Sequence, residues 1–77
     1  MSTPNPDATA FDWAQECAYI SNETDAAQAG RTSSTFNNDP SCLRRYAQMQ
    51  QKVATKQGKH DAAAYIGHCI DDLSFFA

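Results

Sequence analysis

The stretch that decides the fold is Asp39-Pro40-Ser41-Cys42-Leu43-Arg44-Arg45-Tyr46-Ala47-Gln48-Met49-Gln50-Gln51-Lys52-Val53-Ala54-Thr55-Lys56-Gln57-Gly58. It carries its own start and stop. An aspartate can accept the unpaired N–H groups of a first helical turn, and a proline with its fixed φ suits the first helical position. Gly58 readily takes the left-handed conformation in which helices end. Between these signals Cys42, Tyr46, Met49 and Val53 recur at i, i+4, i+7 and i+11, flanked by Leu43, Ala47, Gln50 and Ala54. That period predicts a helix over about 40–57 whose inward face centres on Tyr46, Met49 and Val53.

On the C-terminal side, the linker Gly58-Lys59-His60 is short enough to force an antiparallel neighbour. Asp61 reads as the cap of a third helix over about 61–76. Its stripe is Ala62, Ile66, Cys69, Leu73 and Phe76, with Tyr65 and Ile70 alongside. Gly67 lies inside it, costing roughly 1 kcal/mol relative to alanine. Such a glycine either marks the close approach of another helix or is simply tolerated.

On the N-terminal side, residues 30–39 are a polar loop, and Phe36 is the side chain expected to pin it to the core. Before it, Asn5, Pro6 and Asp7 give the start of a first helix over about 6–29, preceded by a tail at 1–5. Ala10, Trp13, Cys17, Ile20, Thr24 and Ala27 form its stripe, widened by Phe11, Ala14 and Ala18. Asp12, Gln15, Glu16, Tyr19 and Glu23 fall elsewhere, and Gly30 supplies the stop. Ser21-Asn22 is this helix's weakest point. No segment alternates with period two and no internal repeat is visible. The expected architecture is a single all-α domain, a three-helix bundle with helices two and three as a tight hairpin.

The hydrophobic fraction of 42% excludes wholesale disorder. Much of it is alanine, so a 77-residue chain builds a thin core, and a partner or a second copy in a homo-oligomer is the expected supplement. No apolar run is long enough to span a bilayer. The opening Met1-Ser2-Thr3-Pro4-Asn5-Pro6 lacks the basic start and apolar stretch of a secretory signal, which points to a cytoplasmic protein. Three cysteines at wide spacing point the same way, to reduced thiols. Cys17, Cys42 and Cys69 each fall on a predicted apolar stripe and read as small hydrophobes. They form no close ligand pair with each other or with His60 and His68, so no metal or other cofactor is expected. His68 and Cys69 point about 100° apart on a helix, which disfavours a catalytic pair. With no catalytic constellation and little chain to form a deep pocket, no enzyme is expected.

Charge is the feature that suggests a function. Of the six cationic side chains, Arg44, Arg45, Lys52, Lys56 and Lys59 lie between residues 44 and 59, where there is no acid. Acidic segments flank them on both sides, and the whole chain carries −3. At helical spacing residues 45, 52, 56 and 59 share one side, bordered by Arg44 and Gln48. Such a row either meets an anionic surface or is a solvated face paired with Glu16, Glu23, Asp71 and Asp72. An acidic pI of about 5.0 weighs against a dedicated DNA binder. Asp12, Glu16, Glu23 and Asp25 on the first helix would suit mimicry of a phosphate row, and size and charge match small inhibitors borne by phages. The expected function is a non-enzymatic protein-binding module, an inhibitor or adaptor of viral anti-defence type included. Arg44, Arg45, Lys52 and Lys56 would be its polar contacts, with Tyr19, Phe75 and Phe76 as aromatic anchors. Its partner would be another protein, such as a nucleic-acid-processing enzyme, and no membrane. The alternative is an accessory nucleic-acid binder that uses the second helix against phosphates.

Overall fold

A computed structural model describes residues 11–74. Among them, three α-helices, α1 (Trp13–Gln28), α2 (Pro40–Lys56) and α3 (His60–Leu73), form an all-α bundle with no strand. A single 3-10 turn, Ser34–Phe36, lies between α1 and α2. Helices α2 and α3 make the tight antiparallel hairpin that the short linker dictates.

Local chemistry sets the ends. Asp39 caps α2 by accepting the Ser41 N–H at 2.9 Å, with Pro40 in the first position. Both glycine stops work as expected. The Arg31 N–H reaches the Ala26 carbonyl and the Gly30 N–H the Ala27 carbonyl; Lys59 and Gly58 repeat this on Ala54 and Thr55. The two crossed bonds are a Schellman closure, and Gly30 and Gly58 hold the φ of +78° and +75° that it requires. The loop bears two consecutive left-handed residues, Asn37 and Asn38, and the Asn38 side chain donates to the Thr32 carbonyl.

Two starts differ from the sequence expectation. Helix α1 begins at Trp13 rather than at residue 6: Asp12 sits in extended geometry as the N-cap and accepts the Gln15 N–H at 3.1 Å. An aspartate able to satisfy that donor outcompetes continuation of the helix. Residues 1–10, with the expected Asn5-Pro6 start and the tail, lie outside the described residues, as do Phe75, Phe76 and Ala77. Helix α3 starts at His60. Lys59 takes the N-cap position without a side-chain bond, and Asp61 falls inside the first turn, where its charge favours the helix dipole. Ser21-Asn22 causes no break.

The core lies where the three helices meet. Ile20, Leu43, Ile66 and Leu73 are fully buried, each contributing roughly 1.5–3 kcal/mol by leaving water. The α1 stripe of Trp13, Ile20, Thr24 and Ala27 is buried as read, but Phe11, Ala14 and Ala18 face outward. Phe36 is buried and fastens the loop against Tyr46 and Tyr19, with ring centroids 5.4 and 6.3 Å away. Gly67 marks a close approach: a Cβ there would stand 2.8 Å from Gln51 Nε2. That amide crosses the hairpin to donate to the Ala63 carbonyl at 3.1 Å.

The inward face of α2 is rotated from the expected one. Leu43, Ala47 and Ala54 are buried, Cys42, Tyr46 and Val53 are half-buried on the rim, and Met49 is 61% exposed. Helix α2 packs on both α1 and α3, so its inward direction bisects the two. Ala47 and Ala54 share that line with Leu43, and Tyr46 and Val53 sit at its rim toward α1.

Candidate functional site

The sequence leaves open whether the α2 cations pair with the acids of neighbouring helices. The structure keeps the two apart. Glu16 lies buried between α1 and α2, not on a solvated face. It accepts hydrogen bonds from the Tyr46 hydroxyl and from the Gln50 amide, the latter at 2.9 Å. No cation takes part. The signal for this was present: Glu16 is three residues from Trp13 and four from Ile20, on the buried stripe, and Tyr46 and Gln50 stand four apart on the facing helix.

The cations lie on the far side of α2. Arg45, Lys52 and Lys56 are exposed, and among the described residues none of them forms an ion pair. The Arg45 guanidinium instead donates to Cys42 Sγ at 3.2 Å. Pairing with Glu16, Glu23, Asp71 or Asp72 therefore does not neutralise this face. Met49 projects from the middle of the same face, between Arg45 and Lys52. Beside it, Val53 forms one wall of a shallow groove of about 230 Å³ that Phe11, Trp13, Gln50 and Gln57 complete. Phe11 is half exposed there and stacks edge-on to Trp13 at 4.6 Å. The outer face of α2 is thus an apolar strip, Met49 and Val53 leading to Phe11, edged by three cations with no acid among the described residues to pair them.

The other predicted site residues are placed differently. Arg44 is half-buried, and its Nε is enclosed without a hydrogen-bond partner. One residue of rotation turns it away from Arg45 and toward the hairpin. Tyr19 is 37% exposed, but its ring packs on Tyr46 and Phe36 within the bundle. Phe75 and Phe76 lie outside the described residues. Lys59 is exposed at the start of α3.

The three thiols are free. Cys69 is buried in the core, Cys17 donates weakly to the Ala62 carbonyl, and Cys42 stands at the start of α2. Burial, then the charge of Glu16, pushes the Cys17 thiol up. That is the opposite of nucleophile activation. Cys17 also lines an open cleft of about 570 Å³ between α1 and the hairpin turn, together with Trp13, His60, Asp61 and Tyr65. No group of three His, Cys, Asp or Glu side chains among the described residues is arranged to hold a metal ion, and no described helix is long and apolar enough to cross a membrane. Compared with known proteins, the chain matches no family model and gives no significant match to a curated protein or to a solved structure.

Proposed function

We propose that this chain is a non-enzymatic protein-binding module whose contact surface is the outer face of α2. The observation that carries the proposal is Met49, 61% exposed among Arg45, Lys52 and Lys56, which have no acidic partner among the described residues. Methionine and arginine are enriched at interfaces, and an apolar centre with a charged rim is how such surfaces are built. Arg44 drops out of the contact set because it faces the hairpin. An inhibitor or adaptor role fits a small module of this kind, whose partner would present acidic groups around an apolar contact. A second reading, binding of nucleic-acid phosphates by the same cations, draws on their being unpaired. The row of phosphates would have to run over Met49, and the net charge of −3 opposes it at long range.

The test compares the wild-type chain with the triple variant Arg45→Glu, Lys52→Glu, Lys56→Glu, each immobilised and exposed to lysate of the native cell. Retained proteins and nucleic acids are quantified, and circular dichroism checks that helicity is kept. The expected result is a protein retained by the wild type, lost by the variant and lost by Met49→Ser. Identical retention by all three would remove α2 as the contact surface. Retention of nucleic acid alone, falling steeply between about 50 and 200 mM salt, would favour the phosphate reading.

A further inference from the structure

The outer face of α3 mirrors that of α2. On α2 the exposed residues Arg45, Met49, Lys52 and Lys56 stand at i, i+4, i+7 and i+11. On α3 the exposed residues Asp61, Tyr65, His68 and Asp72 stand at the same four steps. Each row spans about 16 Å at the helical rise. Each has charges at its two ends and a large side chain at its second position, 61% exposed for Met49 and 45% for Tyr65. The signs are opposite, and Asp71 adds a further exposed acid beside Asp72. Four residues at alternating steps of four and three are the spacing by which two helices mesh along a seam. Within one chain the two rows cannot meet, because α2 and α3 turn their inner faces to each other.

We infer that the partner suited to the α2 row is the α3 row of a second copy of this chain. In a parallel register Arg45 meets Asp61, Met49 covers Tyr65, Lys52 stands opposite His68, and Lys56 meets Asp72. The contact joins two different surfaces, so each added copy leaves one α2 row and one α3 row open, and association is head to tail. It is held by ion pairs around a small apolar contact and weakens with salt. This inference rests on the reading of α2 as a contact surface, and it supplies that surface's occupant.

The experiment is sedimentation velocity across about 5 µM to 1 mM, a range in which a weak self-association shows as a mass that rises with concentration. Wild-type mass should rise at about 50 mM salt and rise much less at about 500 mM. The α2 variant (Arg45→Glu, Lys52→Glu, Lys56→Glu) and an α3 variant (Asp61→Lys, Asp72→Lys) should each stay monomeric alone. Mixed, they should recover association, since the intact α2 row of one meets the intact α3 row of the other and the two reversed rows are again of opposite sign. If the lysines unsettle α3, Asp61→Asn with Asp72→Asn tests the same contact. Wild-type chain that stays monomeric throughout, variants that associate as the wild type does, or a mixture that shows no complex would each overturn the inference. The failures are distinguishable. A monomeric wild type whose capture of another protein is still lost on α2 reversal sinks only self-association, whereas capture indifferent to that reversal sinks the contact surface itself.

Discussion

Glu16 shows how much one side chain can be asked to hold. Its carboxylate is buried and is the acceptor for two groups from half-buried residues of α2. Glu16→Ala leaves the Tyr46 hydroxyl and the Gln50 amide without that acceptor. The expected cost is about 2–3 kcal/mol in urea unfolding, against about 1 kcal/mol for Glu16→Gln, which keeps a carbonyl in place. Tyr46 carries a pH consequence. Desolvation first, and the bond to Glu16 second, hold its hydroxyl well above the ordinary tyrosine value of 10.0. Above about pH 10 the unfolded chain releases this proton while the folded chain keeps it. The stability it contributes is therefore complete below that point and declines as the pH rises past it. Urea midpoints followed from about pH 8 to 11 should fall at the alkaline end, with a shallower fall in Tyr46→Phe.

At the level of the helix, the position of the α2 seam separates two substitutions that hydrophobicity alone would rank together. Leu43→Ala should cost about 2–5 kcal/mol, because Leu43 is fully enclosed. Met49→Ser should stay within about 0.5 kcal/mol. Thermal unfolding of the two variants checks this, and equal losses would put Met49 back in the core. Gly67→Ala weighs a helix-propensity gain of about 1 kcal/mol against displacement of the Gln51 amide from the Ala63 carbonyl. The Gln51 amide is the far end of a flexible side chain and can swing out to water, so the net change in unfolding free energy should stay within about 1 kcal/mol. Helix existence was legible because Asp39-Pro40, Gly30 and Gly58 act locally, through bonds each residue makes with its own few neighbours. The start of α1 was not, because the apolar period runs straight through Asp12 and hides the local bond, Asp12 accepting the Gln15 N–H, that begins the helix there. The seam was not legible either. Counting large apolar residues locates the bulkiest stripe, whereas the buried line of α2 is Leu43 with two alanines, Ala47 and Ala54. The outward position of Arg45, Lys52 and Lys56 was legible because unpaired charges are seldom buried, although Met49, read as part of the seam, stands among them. Arg44 departs from them because adjacency in sequence is not adjacency in space on a helix.

At the scale of the molecule, the exposed acids of α3 and the exposed cations of α2 face apart among the described residues. Glu16 serves neutral donors, Asp12 and Asp39 cap helices, and Asp61, Asp71 and Asp72 look outward from α3 while the cations look outward from α2. Exposed charges that pair with nothing among the described residues contribute little to stability, so charge reversal on α2 should leave the unfolding midpoint nearly unchanged. A shift above about 1 kcal/mol would mean that those cations serve the fold.

The single tryptophan closes the circuit of the bundle. Trp13 opens α1, donates its indole N–H to the Gln57 side chain at 2.9 Å just past the end of α2, and packs into the core beside Ala63 and Ile66 of α3. Its fluorescence is therefore a native gauge of one event, the seating of α1 on the hairpin. If α1 lifts away while α2 and α3 stay paired, emission moves to the red before circular dichroism registers much loss of helix. An intermediate of that kind would be visible without any label.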